Sequence, residues 1–334
     1  MAITPSERTV STPQGGDPAT KKRGFWKSLA YIVFGIGESN TPQQPMTFSQ
    51  WILSWVKTLG GALVIVMFLN GAVVASFVVP TGSMEKTVLI GDFVFVNKFV
   101  YGPSTPQIIP FLDKPIPFFK FPGLREPKQG DVIVFIYPGD RDDTQPKDFQ
   151  YYLKRCIAVG GDELHIVGGK VFVNGKEFAL PPEAKPYPQI AEVSHPDMIP
   201  YDKAETFPPN KGWTRNNYGP LRIPKKGDVV NISINNLHEW DVFIRREGHL
   251  VGAEGATVLI DGKPATTYTV QRDYVFGMGD NRDESLDSRF WGFIPKENVV
   301  GTPMVVYWSW DTHNPSMIEK FKTLRSERFF KSIQ

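Results

Sequence analysis

Cysteine occurs once in the 334 residues, at Cys156. That excludes an intrachain disulfide and a cysteine metal cluster, and it leaves the redox compartment unread. The thiol reads as a small buried apolar group. An excess of one charge is lacking too, because 37 Lys and Arg against 35 Asp and Glu leave +2. No basic stripe interleaved with aromatics runs along the chain, so no nucleic-acid partner is expected. Histidine is sparse. His165, His195, His238, His249 and His313 form no close acid–base arrangement in the sequence, and no Gly-x-Ser-x-Gly elbow occurs. A Ser-His-Asp triad is therefore not indicated.

Long apolar runs are scarce as well. Thr58 to Val79 carries no charge and is long enough to cross a bilayer as one helix, with Trp51 and Trp55 before it as an interfacial anchor. An uncleaved anchor over 58–79 is expected, because the preceding segment is far too long for the n-region of a cleaved signal peptide. Before it, Met1 to Thr20 reads as a disordered tail. Trp26 to Gly37 is short, carries Lys27 and is broken by Gly35 and Gly37, so it suits an interfacial or packed helix, with a second span as the lesser alternative. Residues 1–57 are thus an N-terminal tail, cytoplasmic by the Lys21 to Lys27 cluster alone, since Lys57 is balanced by Lys86 and Lys98 across the span.

Beyond the span the texture is β. Leu89–Val96, Asp131–Ile136, Lys170–Gly175 and Thr257–Gly262 are β-branched or aromatic runs closed by turn signals, and Asn174-Gly175 and Asp261-Gly262 are hairpin turns by chemistry. The expected fold is mainly β: a transmembrane helix followed by a β-rich domain over 80–312, with a large β insert over about 177–271. Gly-Asp strand starts at Gly130 and Gly227, each followed by an Asx-Gly hairpin, suggest a loose repeat. Its second copy is expected to extend the sheet that carries the loop after Asp273. Between the copies, Pro181 to Pro220 reads as an irregular excursion, dispensable from Ala184 to Gly212. Residues 313–334 place Ile318, Phe321, Leu324, Phe329 and Phe330 among basic residues, as a basic amphipathic helix lying on the domain or on lipid.

Three motifs carry chemistry. In Val78-Val79-Pro80-Thr81-Gly82-Ser83-Met84-Glu85-Lys86-Thr87 a serine follows the apolar run within a turn that can present its hydroxyl and its own N–H. Taken alone, such a stretch is more often a linker. The second, Asp148 to Asp162, sets Lys154-Arg155 inside an apolar strand, and period-two alternation would turn one of the pair inward. A buried lysine can lose its proton near neutral pH and act as a base, whereas an edge strand would leave the pair at the surface. The third, Gly277 to Gly292, is a tight loop rich in Gly, Asp, Asn, Arg and Ser, with Asp–Arg pairing expected inside it. Its acidic spacing does not match a calcium-binding EF-hand.

Together these motifs resemble the bacterial type I signal peptidases, membrane-bound Ser-Lys proteases that remove signal peptides from exported proteins. The likeness runs from Val79 to about Gly301 through Pro-Thr-Gly-Ser-Met, Ile-Gly-Asp, Gly-Asp-Val-Ile-Val-Phe, Tyr-Leu-Lys-Arg, Gly-Gly-Asp and Gly-Asp-Asn-Arg-Asp-x-Ser-x-Asp-Ser-Arg-x-Trp-Gly. It implies Ser83 as nucleophile, Lys154 as general base and Ser285 holding the lysine amine. The Thr81 hydroxyl and the Ser83 N–H would form the oxyanion hole, and Asp280, Asp287 and Arg289 would brace the site. Val79, Pro80, Met84, Tyr152 and Leu153 would wall pockets for small substrate side chains. No metal or cofactor is implied. The expected partners are signal peptides and the lipid bilayer, and the expected place is the bacterial plasma membrane, with a single span and the catalytic domain on the extracytoplasmic side. Lys86 stands where many members have proline, Cys156 where a small apolar residue is usual, and the 177–271 insert exceeds a minimal member. A processing Ser-Lys protease of another type, or an anchored β-domain that binds envelope proteins without catalysis, are the competing readings.

Overall fold

The computed structural model describes residues 47–85, 87–105, 108–109, 114–115, 117–179 and 206–333. The expectations for the tail, for Trp26–Gly37, for Lys86 and for most of the excursion lie outside them.

The apolar run is not one element. Helix α1 spans Phe48–Ala72, and strand β1 follows at Val74–Val78. The span read as 58–79 therefore moves upstream: Phe48–Gly71 is the helix long and apolar enough to cross a membrane, and Trp51 and Trp55 lie within it. The physical reason is that Val-Ala-Ser-Phe-Val is as apolar as the helix before it. Only the pairing of its backbone with a neighbouring strand decides its conformation.

The second compact unit begins at Met67. Its strands, after β1, are β2 Asp92–Asn97, β3 Ile108–Ile109, β4 Lys114–Pro115, β5 Val132–Ile136, β6 Tyr151–Val159, β7 Glu163–Val167, β8 Lys170–Val173 and β9 Lys176–Glu177. They continue with β10 Tyr218–Arg222, β11 Val229–Asn231, β12 Val251–Glu254, β13 Thr257–Ile260, β14 Lys263–Pro264, β15 Thr267–Thr269, β16 Tyr274–Met278, β17 Ile294–Pro295, β18 Val299–Ser309 and β19 Lys331–Ser332. The described helices of this unit, after the end of α1, are α2 Leu237–Arg246, α3 Ser288–Trp291 and α4 Met317–Lys322, beside short 3-10 turns.

Eight strands make the main sheet, in the order β1-β2-β18-β5-β6-β16-β17, with β19 also paired to β18. Strand β2 alternates buried and half-buried residues, as a sheet with one covered face requires, whereas all of β5 is buried. Val79, Met84, Val94, Val96, Val132, Val134 and Val306 form one core cluster; Ile133, Phe135, Cys156, Val275, Trp291 and Ile294 belong to another. The mainly β expectation holds, and so do both hairpins. Asn174 and Gly175 have φ of 52° and 76°, Asp261 and Gly262 of 51° and 75°, the paired positive values that a type I′ turn needs.

The insert differs from expectation. Its second strand set does not extend the main sheet: β11 pairs β15, β12–β14 form a three-stranded sheet, and β10 joins β7-β8-β9. Strand β16 already has β6 on one side and β17 on the other, so no edge is left there. Besides the pairing of β10 with β7, the insert is held by a third core cluster that includes Ile232, Phe243, Ile244 and Tyr268 together with Tyr274, Phe276 and Phe293. The excursion's end is likewise not loose: Phe207 donates its N–H to the Arg289 carbonyl at 2.8 Å and meets the Phe293 ring edge-on at 5.1 Å.

The C-terminus is also corrected. Helix α4 has six residues, and the chain then turns back to pair as β19. Arg328 is buried against Asp92, with its Nε 2.8 Å from a carboxylate oxygen, and Trp308 stacks on Phe329 at 5.1 Å. A buried carboxylate that needs a cation fixes the tail on the domain.

Candidate functional site

Gly82–Met84 forms one 3-10 turn directly after Pro80-Thr81, and Ser83 within it is 9% exposed. Lys154 lies in β6, opposite Ile133 of β5, and is 4% exposed. Its Nζ stands 2.7 Å from the Ser83 Oγ and 5.6 Å from the centre of the Tyr152 ring. Burial lowers the lysine from its ordinary 10.5 to about 8; the Asp287 and Asp280 carboxylates oppose that fall and the Arg289 guanidinium adds to it. A charged Lys154 donates to the hydroxyl. Once neutral, the same contact reverses and the serine donates to the amine.

Alternation led to the expectation that one of Lys154 and Arg155 turns inward; both are buried. Strand β6 is paired along both edges, by β5 and β16, and successive side chains point to opposite faces, so burial of Lys154 and Arg155 alike means that both faces are covered here. Arg155 gives Asp280 two hydrogen bonds, from Nε at 2.8 Å and Nη2 at 2.7 Å, and gives the Gly130 carbonyl a third at 2.7 Å. Asp280 also accepts from the Thr87 hydroxyl at 2.6 Å. One carboxylate thus ties the segment that carries Ser83 to the strand that carries Lys154.

The loop after β16 completes the clamp. Asn281 donates its N–H to the Ser83 carbonyl at 3.0 Å and its side-chain amide to the Gly82 carbonyl at 3.0 Å. Asp287 caps α3, accepts from the Gly279 N–H at 3.0 Å and takes two bonds from the Arg289 guanidinium at 2.9 Å each. Burial pushes Asp287 up, but the charge and hydrogen bonds of Arg289 hold it below the usual carboxylate value. Arg282 donates to the Gly279 carbonyl at 3.0 Å, and burial brings it down to about 10. Gly279 has no room for a side chain: a Cβ there would stand 2.2 Å from the Ser285 Oγ and 2.4 Å from the Ser83 carbonyl oxygen.

Most of the residues named from the sequence lie together around the Ser83–Lys154 contact, and one expected contact is not made. Among the described residues the Ser285 hydroxyl, buried beside Gly279, has no hydrogen-bond partner, so the expected contact to the Lys154 amine is not made there and the amine bonds Ser83. Thr81 precedes the turn in extended conformation, exposed, with no capping bond from its hydroxyl. Val79, Pro80, Met84, Tyr152 and Leu153 line a groove of about 760 Å³ that also contains Thr81, Ser83 and Lys154. Sequence reasoning missed Thr87, Gly279, Asn281 and Arg282 as parts of this clamp, and it left the partner of Arg155 open. The Gly279-Asp280 step in an otherwise polar, acid-rich loop was the signal available for Gly279.

A family model described as signal peptidase, peptidase S26, matches residues 52–308. The Signal peptidase I of Helicobacter pylori is 30% identical over 296 residues, covering 84% of this chain and 91% of the relative. That of Aquifex aeolicus is 30% identical over 261 residues, covering 73% and 79%, and that of Pseudomonas fluorescens is 30% identical over 281 residues, covering 81% and 77%.

Proposed function

From the premise that this chain belongs to the signal peptidase family, peptidase S26, and so to the proteases that remove signal peptides, we propose that Ser83 and Lys154 are the groups that perform the cleavage. The observation that carries this reading is the 2.7 Å contact between a buried lysine amine and a serine hydroxyl on the wall of an apolar groove.

In this mechanism Lys154, neutral, accepts the Ser83 proton as Oγ attacks the carbonyl carbon of the scissile peptide. The oxyanion is met by the Ser83 N–H, which sits in a first helical turn with no intrahelical acceptor before it, and by the Thr81 hydroxyl. Lysine then returns the proton to the leaving amine. The acyl ester on Ser83 is hydrolysed by a water that Lys154 deprotonates in turn. Asp280, Asp287 and Arg289 hold the two elements in register rather than touch the reacting atoms, and Ser285 fills the space beside Gly279.

The same reading makes Phe48–Ala72 the membrane anchor, the residues after it the extracytoplasmic catalytic domain, and signal-peptide-bearing preproteins the substrates. Val79, Pro80, Met84, Tyr152 and Leu153 would select small side chains before the cut. Purified full-length protein in detergent should cut a preprotein once, after a small residue, and Ser83→Ala should not. Undiminished cleavage by that variant would return the site to a structural role.

A further inference from the structure

The groove that contains Ser83 and Lys154 holds a second buried lysine. Lys98 is 5% exposed and lines the same cavity. Its backbone N–H donates to the Val73 carbonyl at 3.1 Å, one step beyond the pairing of Asn97 with Val74. Along β2 it follows Val94 and Val96, at the spacing that keeps side chains on one face. Those two valines belong to the apolar cluster beneath the groove, so the ammonium stands where the row calls for another hydrocarbon. Among the described residues no carboxylate, carbonyl or hydroxyl is hydrogen-bonded to it. Burial brings Lys98 down to about 8, which is the cost of a cation held without a partner.

Position gives this lysine its meaning. From Val73, beside Lys98, to Val79, which bonds Asp92 at the other end of β1, is six residues, or about 20 Å at ~3.3 Å per residue. Val74 follows the end of α1 at Ala72 by two residues, so with α1 read as the anchor the Lys98 end of β1 is the end joined to the membrane segment. A substrate threaded from the membrane to Ser83 would pass Lys98 about six residues before its cut.

A signal peptide has an apolar h-region followed by a small-residue cleavage site. To cross hydrocarbon the h-region must be helical, and it must become extended to present one peptide bond to a nucleophile. The last four carbonyls of that helix have no partner and carry the negative end of its dipole. Resting on the protease reading above, we propose that Lys98 donates to these carbonyls and so registers the end of the substrate's h-region at a fixed distance from Ser83. Either protonation state suits the task, since both the amine and the ammonium donate.

The test uses the full-length protein in detergent and two peptides with one cleavage site, one reaching three residues before the cut and one reaching back through the apolar stretch. For the wild type, KM should fall about tenfold on lengthening, as one charged hydrogen bond allows. In Lys98→Met the ratio of kcat/KM for the long over the short peptide should drop by about the same factor, through KM rather than kcat. A variant that lowers both substrates alike keeps the ratio, and that outcome would overturn the proposal in favour of a structural Lys98. The wild-type length series decides the matter even if the variant fails to fold: no fall in KM between the two peptides also overturns it. Failure of the wild type to cut either peptide would instead strike the protease reading, and this inference with it.

Discussion

Arg155 and Asp280, 125 residues apart in the chain, meet through hydrogen bonds of 2.8 and 2.7 Å, with the arginine 2% and the aspartate 0% exposed. The pair lies between the strand of Lys154 and the turn of Ser83, which Asp280 reaches through Thr87. Removing one partner strands a buried charge, whereas removing both does not. Arg155→Met should therefore cost about 3–5 kcal/mol, seen as a lowered unfolding midpoint. Arg155→Met combined with Asp280→Asn should be less damaging than the sum of the single changes. Additive losses would mean that the two groups act separately.

With Lys154 as the proposed base, its protonation sets the pH dependence. With a folded value of about 8, the neutral amine grows as pH rises, so kcat/KM should climb to a plateau with a midpoint near 8. Lys154→Arg, which stays charged, should be inactive at every pH. A flat profile between pH 6 and 9 would contradict the assignment.

The same lysine weakens the fold. Its folded value lies below the ordinary 10.5, so between about 8 and 10.5 the unfolded chain holds the proton more readily, and stability rises with pH across that window. At ~1.36 kcal/mol per pH unit the charged form costs about 3 kcal/mol at pH 7. Lys154→Met should raise Tm at pH 7 and lose that gain as pH approaches 10.5; an equal effect at both pH values would remove burial as the cause.

Gly279 is required by the close approach of Ser285 and the Ser83 carbonyl. Gly279→Ala should displace the turn and lower kcat at least about a hundredfold, the scale of a 1 Å misplacement. Normal activity would show that the loop can shift without moving the nucleophile.

Phe207 carries one of the excursion's contacts with the site, beside those of Arg215 with Asp283 and Arg289. Phe207→Ala should destabilise by about 3–5 kcal/mol and loosen Arg289, whereas a Gly/Ser linker replacing 184–205 should leave cleavage of a small peptide intact. If both changes are silent, the insert does not support the loop.

Much of this was legible in the chain before its folding. Asn174-Gly175 and Asp261-Gly262 announced their turns because few residues tolerate positive φ. Ser83, Lys154 and the 277–292 loop stood out because polar groups in apolar or glycine-rich runs are expensive unless used. What stayed hidden was long-range. Residues Val74–Val78 are apolar enough to be helix or strand, and only β2, some twenty residues on, decides. Helix α2 is short and buries only Phe243 and Ile244, so what it packs against shows only in the fold. The tail's amphipathic pattern is real, but Asp92, over two hundred residues earlier, draws Arg328 inward. The unusual character of Lys98 could not be seen at all, since a lysine closing a strand is ordinarily at the surface.

The central claim is that Ser83 takes the acyl group, and it can be read directly. Cleavage of a signal-peptide substrate, quenched in acid during turnover and mapped by mass spectrometry, should show the substrate's N-terminal fragment esterified to the peptide that contains Ser83. The adduct should be missing from Ser83→Ala and Lys154→Ala. An adduct on any other residue, or substrate cut at the wild-type rate by Ser83→Ala, would contradict the account.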